Sequence, residues 1–199
     1  DINSHYGQAE NAYKFTDKAA AFATLKYGRQ EGTGDNASAD YTAGRLGLKT
    51  VQTDKLSFKG GAGVQQFNPD AGKDQTAFNY DFGAVWQATD KTAVQAGGRN
   101  GISKSILDAS QGVADATVWM GVTSRLIAST ALSLSASYRQ DDYLDTDRKD
   151  DGLGARARVD YTAPASFLRM YLEVSSQTVD SNVADYDETR VSLGMNLSY

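Results

Sequence analysis

Arg190-Val191-Ser192-Leu193-Gly194-Met195-Asn196-Leu197-Ser198-Tyr199 alternates without a fault. Val191, Leu193, Met195, Leu197 and Tyr199 share one face and the other face is polar, which is the period of two imposed by an extended strand. Leu168, Met170, Leu172 and Val174 repeat the pattern against Arg169, Tyr171, Glu173 and Ser175. So do Leu132, Leu134, Ala136 and Tyr138 against Ser133, Ser135, Ser137 and Arg139. Working outward, similar segments fall at about 152–161, 113–124, 92–100, 75–87, 55–67, 38–50, 19–29 and, more weakly, 4–15. Apolar residues rarely recur at helical spacing, and only 101–112 leaves room for a short helical turn.

The connections alternate in length. Phe15-Thr16-Asp17-Lys18, Gln52-Thr53-Asp54-Lys55 and Ala88-Thr89-Asp90-Lys91 repeat a Thr-Asp-Lys turn, and 125–129 and 162–166 fill the same role. Between them lie longer polar connections at about 30–37, 68–74, 101–112, 140–151 and 179–186. Short turns at one end and longer loops at the other describe an antiparallel meander whose turns face the periplasm and whose loops face outward.

Composition bounds the rest. No stretch reaches the roughly 18–20 apolar residues of a membrane-spanning helix, but a strand facing lipid needs an apolar residue only at alternate positions. The chain has no Cys, which excludes a disulfide scaffold and a thiolate metal site. A net charge of −5 speaks against a general nucleic-acid binder, which needs a basic surface. Asp1 is not preceded by a basic and apolar leader, so any export signal is expected to have been removed or to lie outside this stretch. The fold expected is all-β: an antiparallel up-and-down transmembrane β-barrel of about 10–12 strands. Single-chain bacterial barrels hold even numbers, so either residues 1–15 do not span, giving ten, or a twelfth strand is missed or lies upstream; twelve is slightly favoured because 4–15 alternates weakly and ends at a Thr-Asp-Lys turn. Residues 1–199 read as a single domain, standing alone or within a larger barrel. Tyr27, Tyr41, Tyr80, Trp86, Tyr138, Tyr161 and Tyr171 lie near strand ends and suit interfacial girdles, although Tyr171 falls on the polar face and aromatics are favoured in strands generally.

If the apolar faces meet lipid, the opposite faces line a lumen, since unpaired backbone groups in hydrocarbon force a sheet to close. The lining residues expected are Lys26, Arg45, Lys49, Lys59, Arg99, Arg139, Arg156, Arg158, Arg169 and Arg190, against Asp81, Asp115, Asp160, Glu173 and Glu188. Base exceeds acid there. The acidic excess lies in the loops, at Asp35, Asp70, Asp74, Asp108, Asp141, Asp142, Asp145, Asp147, Asp150, Asp151, Asp180 and Asp185. Two readings of the arginines stand side by side. Rows of Arg and Lys favour anions through a pore; alternatively they pair with neighbouring acids, as in Arg158 with Asp160 or Arg169 with Glu173, and stiffen the wall.

No catalytic constellation emerges. His5 is the lone histidine and lies in the weakest segment, so neither a Ser-His-Asp site nor the acid and His rim of an outer-membrane protease is expected. The acidic run 141–147 lacks the Gly and terminal Glu of a helical calcium loop and reads as solvated charge. Gly60-Gly61-Ala62-Gly63 sits inside a strand, where close packing or a bend explains it better than phosphate binding. The expectation is a protein without enzymatic activity, metal or cofactor.

Asp180-Ser181-Asn182-Val183-Ala184-Asp185-Tyr186-Asp187-Glu188-Thr189-Arg190-Val191-Ser192-Leu193 resembles the final loop and closing strand of outer-membrane β-barrel porins often found beside exopolysaccharide gene clusters. Arg148 to Tyr161 is similar to that family's preceding hairpin, and the resemblance covers roughly the C-terminal half. A weaker likeness is to the large barrels that sheath electron-transfer cytochromes. The resemblance implies a bacterial outer-membrane channel, and the basic wall suits small anionic solutes such as acidic oligosaccharides. The alternative is a structural or docking barrel that anchors a secretion, polysaccharide-export or electron-transfer assembly. Partners expected are outer-membrane lipid and lipopolysaccharide, a small anionic solute and proteins of an envelope assembly, with no nucleic acid.

Overall fold

A computed structural model describes residues 2–32, 38–50, 55–70, 73–104, 112–144, 146–163 and 168–197. The chain runs through β1 (Ile2–Thr16), β2 (Ala19–Gly32), β3 (Ala39–Thr50), β4 (Leu56–Pro69), β5 (Gln75–Gln87) and β6 (Thr92–Lys104). It continues through β7 (Gly112–Ile127), β8 (Thr130–Tyr143), β9 (Lys149–Thr162), β10 (Leu168–Ser181) and β11 (Tyr186–Leu197). All join one 11-stranded sheet in sequence order, each strand antiparallel to the next. There is no helix among the described residues. Of the expected turn in 101–112, residues 101–104 and 112 continue strands instead, and 105–111 lie outside the described residues.

Alternation explains why this sheet does not fold into a water-soluble core. Register carries the apolar set from strand to strand: Leu193 opposes Leu172, which opposes Val159, which opposes Leu132. That face is uncovered, with Leu193 at 75%, Leu46 at 72% and Leu25 at 68% exposure. So wide an apolar surface is incompatible with water and matches a hydrocarbon boundary. Strand length agrees, since β3 has 12 residues and β7 has 16, against the roughly 9–11 that a tilted strand needs to cross a bilayer.

The loops are shorter than the sequence suggests. Connections at one end fall at 17–18, 51–55, 88–91, 128–129 and 163–167, and at the other at 33–38, 70–74, 105–111, 144–148 and 182–185. Strands run on into stretches that read as loop because they are polar on both faces. Asp141 ends up in β8 and Asp150 in β9 for this reason. Asp35, Asp108, Asp145 and Tyr199 lie outside the described residues.

The weakly alternating 4–15 segment is a full strand, β1, so the ten-strand alternative falls; the described residues hold eleven strands, within the 10–12 expected. With an odd number, β1 and β11 point the same way, and antiparallel closure of such a sheet takes an odd number of strands beyond these.

The glycine run in β4 serves close approach. A side chain at Gly63 would strike the Gly44 carbonyl oxygen and the Arg45 backbone on β3. At Gly61 it would meet the ring of Phe22, which lies across the polar face from β2 and also covers Gly47.

Candidate functional site

The pleat sorts charge as cleanly as it sorts hydrocarbon. Through the register, Lys26, Arg45, Lys49, Lys59, Arg99, Arg139, Arg156, Arg158, Arg169 and Arg190 all fall on one face of the sheet, opposite the uncovered apolar one. Asp81, Asp115, Asp160, Glu173 and Glu188 share it. Glu10, Asp141 and Asp150 also share it, as do Lys14 and Arg125, so base still exceeds acid but in a smaller ratio than the sequence indicates.

Pairing differs along the wall. In β8, β9 and β11 the partners stand two residues apart on one strand: Arg139 and Asp141 at 2.7 Å, Arg158 and Asp160 at 2.8 Å, Arg190 and Glu188 at 2.7 Å. Glu173 lies 3.6 Å from both Arg156 and Arg158, and not with Arg169 as expected; register sets Arg158 directly across from it. The Arg158 guanidinium also stacks 4.0 Å above the Tyr171 ring. In the first strands the bridges cross the sheet instead. Glu10 on β1 accepts from Lys49 Nζ at 2.8 Å and Lys59 Nζ at 2.7 Å, reaching over Phe22 to β3 and β4.

At the loop end β6 leaves the wall. Its backbone pairing with β5 stops at Asp81 and Arg99. Beyond that point the Asn100 side chain stands in for a peptide group: its Oδ1 accepts from the Tyr80 amide at 2.6 Å and its Nδ2 donates to the Phe78 carbonyl at 2.9 Å. The main chain of β6 meanwhile crosses onto the polar face of β4 and β5. Gln65 Nε2 donates to the Ile102 carbonyl, the Ile102 amide donates to Gln65 Oε1 at 3.1 Å, and Asn79 Nδ2 donates to the Asn100 carbonyl. Buried amides that satisfy both ends in this way hold backbone as firmly as a ladder does. Ile102 then packs among Ala39, Tyr41 and Phe67, with Ala77, Ala114 and Leu144 at the margin, and Phe67 is 1% exposed. Pairing of β6 with β7 persists to Lys104 and Gly112, and that of β7 with β8 to Val113 and Tyr143, so the ladder parts only between β5 and β6.

Beneath this inturned end of β6 lies a recess of about 370 Å³, lined by Lys26, Arg45, Arg99, Asp81 and Asp115 among others. A second hollow of about 270 Å³ lies farther along the wall, with Ser135, Ser137, Ser175, Gln177, Arg156 and Arg190. At the rim Arg148 binds Asp150 at 2.7 Å, and that hydrogen bond holds the guanidinium still more firmly protonated than usual. The Asn182 side chain ties two loops together, donating to the Asp147 carbonyl and accepting from the Lys149 amide at 3.0 Å. Among the described residues no cluster of acids and His has the makings of a metal site.

The model of the family described as "Putative beta-barrel porin 2" matches residues 1–199. The chain belongs to that family. The match spans the whole chain, beyond the C-terminal half on which the sequence resemblance rested. This porin-family sheet is similar to the outer membrane channel DcaP of Acinetobacter baumannii, with 16% identity and a TM-score of 0.73 over 96% of the chain. It is also similar to a loop-deletion form of OmpT, an outer membrane protein of Vibrio cholerae, with 14% identity and a TM-score of 0.56 over 96% of the chain. The porin chain spans 62% of the length of each of those two proteins. No curated protein shows a significant match. Family and fold place the chain in the bacterial outer membrane.

One aromatic, Tyr41, is relocated, while Tyr171 keeps the polar face expected of it. Tyr27, Tyr80, Trp86, Tyr138 and Tyr161 lie on the apolar face as girdle residues should. Tyr41 instead lies on the charged face, buried beside Phe67 with Lys26 5.2 Å above its ring, and Tyr171 shares that face. Glu10, Gln65, Asn79 and Asn100 are the residues that reading along the chain misses. Their signal was present, as amides and an acid within strands, of which Glu10, Gln65 and Asn79 face inward, but their partners are set by register across several strands.

Proposed function

We propose that this porin-family chain forms the wall of a channel passing small anionic solutes, acidic oligosaccharides among them, along its basic face. The carrying observation is the segregation of Lys26, Arg45, Lys49, Lys59, Arg99, Arg139, Arg156, Arg158, Arg169 and Arg190 onto the face turned away from the exposed apolar surface. Once the sheet closes, that face is the lumen, and fixed guanidinium and ammonium groups along a pore raise the local concentration of anions. The flanking acids temper the field, which favours passage over permanent capture, because a solute must leave as well as enter.

Planar-bilayer recording under a KCl gradient tests this. A reversal potential on the anion side supports it, cation selectivity overturns it, and a closed pore with stoichiometric protein partners in native membranes would favour the docking barrel.

A further inference from the structure

Nine of the ten lining cations fall into two groups, and the tenth, Arg169, forms no salt bridge among the described residues and lies outside the recess. Lys49 and Lys59 are neutralised by Glu10, Arg139 by Asp141, Arg156 and Arg158 by Glu173 and Asp160, and Arg190 by Glu188. Lys26, Arg45 and Arg99 form no salt bridge within 4.0 Å among the described residues, and all line the recess under the inturned end of β6. Register explains the vacancy of partners. Lys26 stands across from Gln8 and Ala43, and Arg45 across from Thr24 and Gly63, so the residues directly opposite them carry no charge. Arg99 stands across from Asp81 without closing a bridge.

The recess is also built to hold something. Its floor includes the small side chain of Ala43, and its roof is β6, pinned by Gln65 and Asn79. About 370 Å³ falls within the roughly 300–1,000 Å³ of small-molecule sites. Lys26 is steered there by two rings, lying 4.9 Å over Tyr6 and 5.2 Å over Tyr41. Lys26 and Arg45 are half-buried while Arg99 is exposed, and cations held partly out of water are costly unless a counter-charge joins them.

We propose that this recess is where the channel selects its solute, with Lys26, Arg45 and Arg99 taking one carboxylate of a small monoanion. The inference rests on the reading of the chain as an anion channel and gives that reading an address. Asp81 and Asp115 balance two of the positive charges in the recess, so one negative charge completes it and the second charge of a dianion would have to leave water without a partner there. The hairpin sets how close the solute must pass, because its hydrogen bonds fix β6 over the recess.

The test is calorimetric titration of the detergent-solubilised full chain with sodium glucuronate, neutral methyl glucoside and the dianion glucarate, alongside bilayer recording. Wild type should bind glucuronate, ignore methyl glucoside and bind glucarate more weakly. Arg45→Gln with Arg99→Gln should weaken glucuronate binding by about tenfold or more, given what charge-assisted hydrogen bonds contribute. Lys26→Gln, milder in its demand on folding, should weaken it less, and Lys149→Gln at the rim should leave it unchanged. Equal binding by wild type and the Arg45/Arg99 variant, or no binding by wild type, overturns the site. Absence of current with glucuronate binding lost in the variant would topple the channel and keep the site; anion-selective current insensitive to Arg45 and Arg99 would do the reverse.

Discussion

The wall of β8 to β11 and the wall of β1 to β7 handle their cations differently. In the former, Arg139, Arg158 and Arg190 find an acid two residues away on their own strand. In the latter, Glu10 reaches across strands to Lys49 and Lys59, while Lys26, Arg45 and Arg99 surround a recess under the turned-in end of β6. A pair spaced by two residues is local: it forms wherever the strand forms and stiffens one stretch of wall. A cross-strand bridge, or its absence, depends on how several strands align. The difference separates a wall in which every named lining cation but Arg169 has an acid beside it from one that keeps three in reserve around a recess.

The contrast breaks most drastically at Phe67. Its side chain is the largest fully buried one and anchors Ile102. Phe67→Ala should cost about 3–5 kcal/mol, typical of an aromatic removed from a core, measured by urea unfolding in detergent, and should free the hairpin as well. Gln65→Leu keeps the volume but removes both bonds to Ile102. It should cost about 1–3 kcal/mol, speed hydrogen exchange at the Ile102 amide and raise single-channel conductance. No change in either exchange or conductance would mean that packing alone holds β6.

Selectivity sharpens the comparison further. Arg45→Gln should lower the anion-to-cation permeability ratio several-fold, and Arg156→Gln, whose charge Glu173 already offsets, should lower it less. Equal shifts would make the two walls electrically equivalent. The smallest effect is expected at Asp160→Asn, which removes one of two acids on Arg158 and should move the reversal potential slightly further toward anions.

Much of this was legible along the chain, for a physical reason. A strand buries or exposes alternate residues whatever its neighbours do, so Val191, Leu193, Met195 and Leu197 declare their face from sequence alone, and Arg158 with Asp160 declares its pair. Register is another matter. Nothing near Glu10 announces Lys49 or Lys59, because their meeting requires β1, β2, β3 and β4 to align. Tyr41 reads as a girdle residue by its place near a strand end, yet its parity through Gly28 and Phe67 turns it inward. The departure of β6 from β5 was hidden for the same reason: Asn100 announces a polar residue, not that its side chain will finish a backbone ladder.

Asn100 carries a chemical liability as well. It precedes Gly101, and an asparagine followed by glycine is the pair whose side chain cyclises most readily onto the next amide. In the folded sheet both ends of the Asn100 side chain are engaged by β5, which keeps its carbonyl carbon from the Gly101 nitrogen. A chain waiting unfolded in the periplasm has no such protection. Deamidation there would set an oxygen against the Phe78 carbonyl where a donor is needed, so delay before insertion would leave a permanent chemical scar on the hinge.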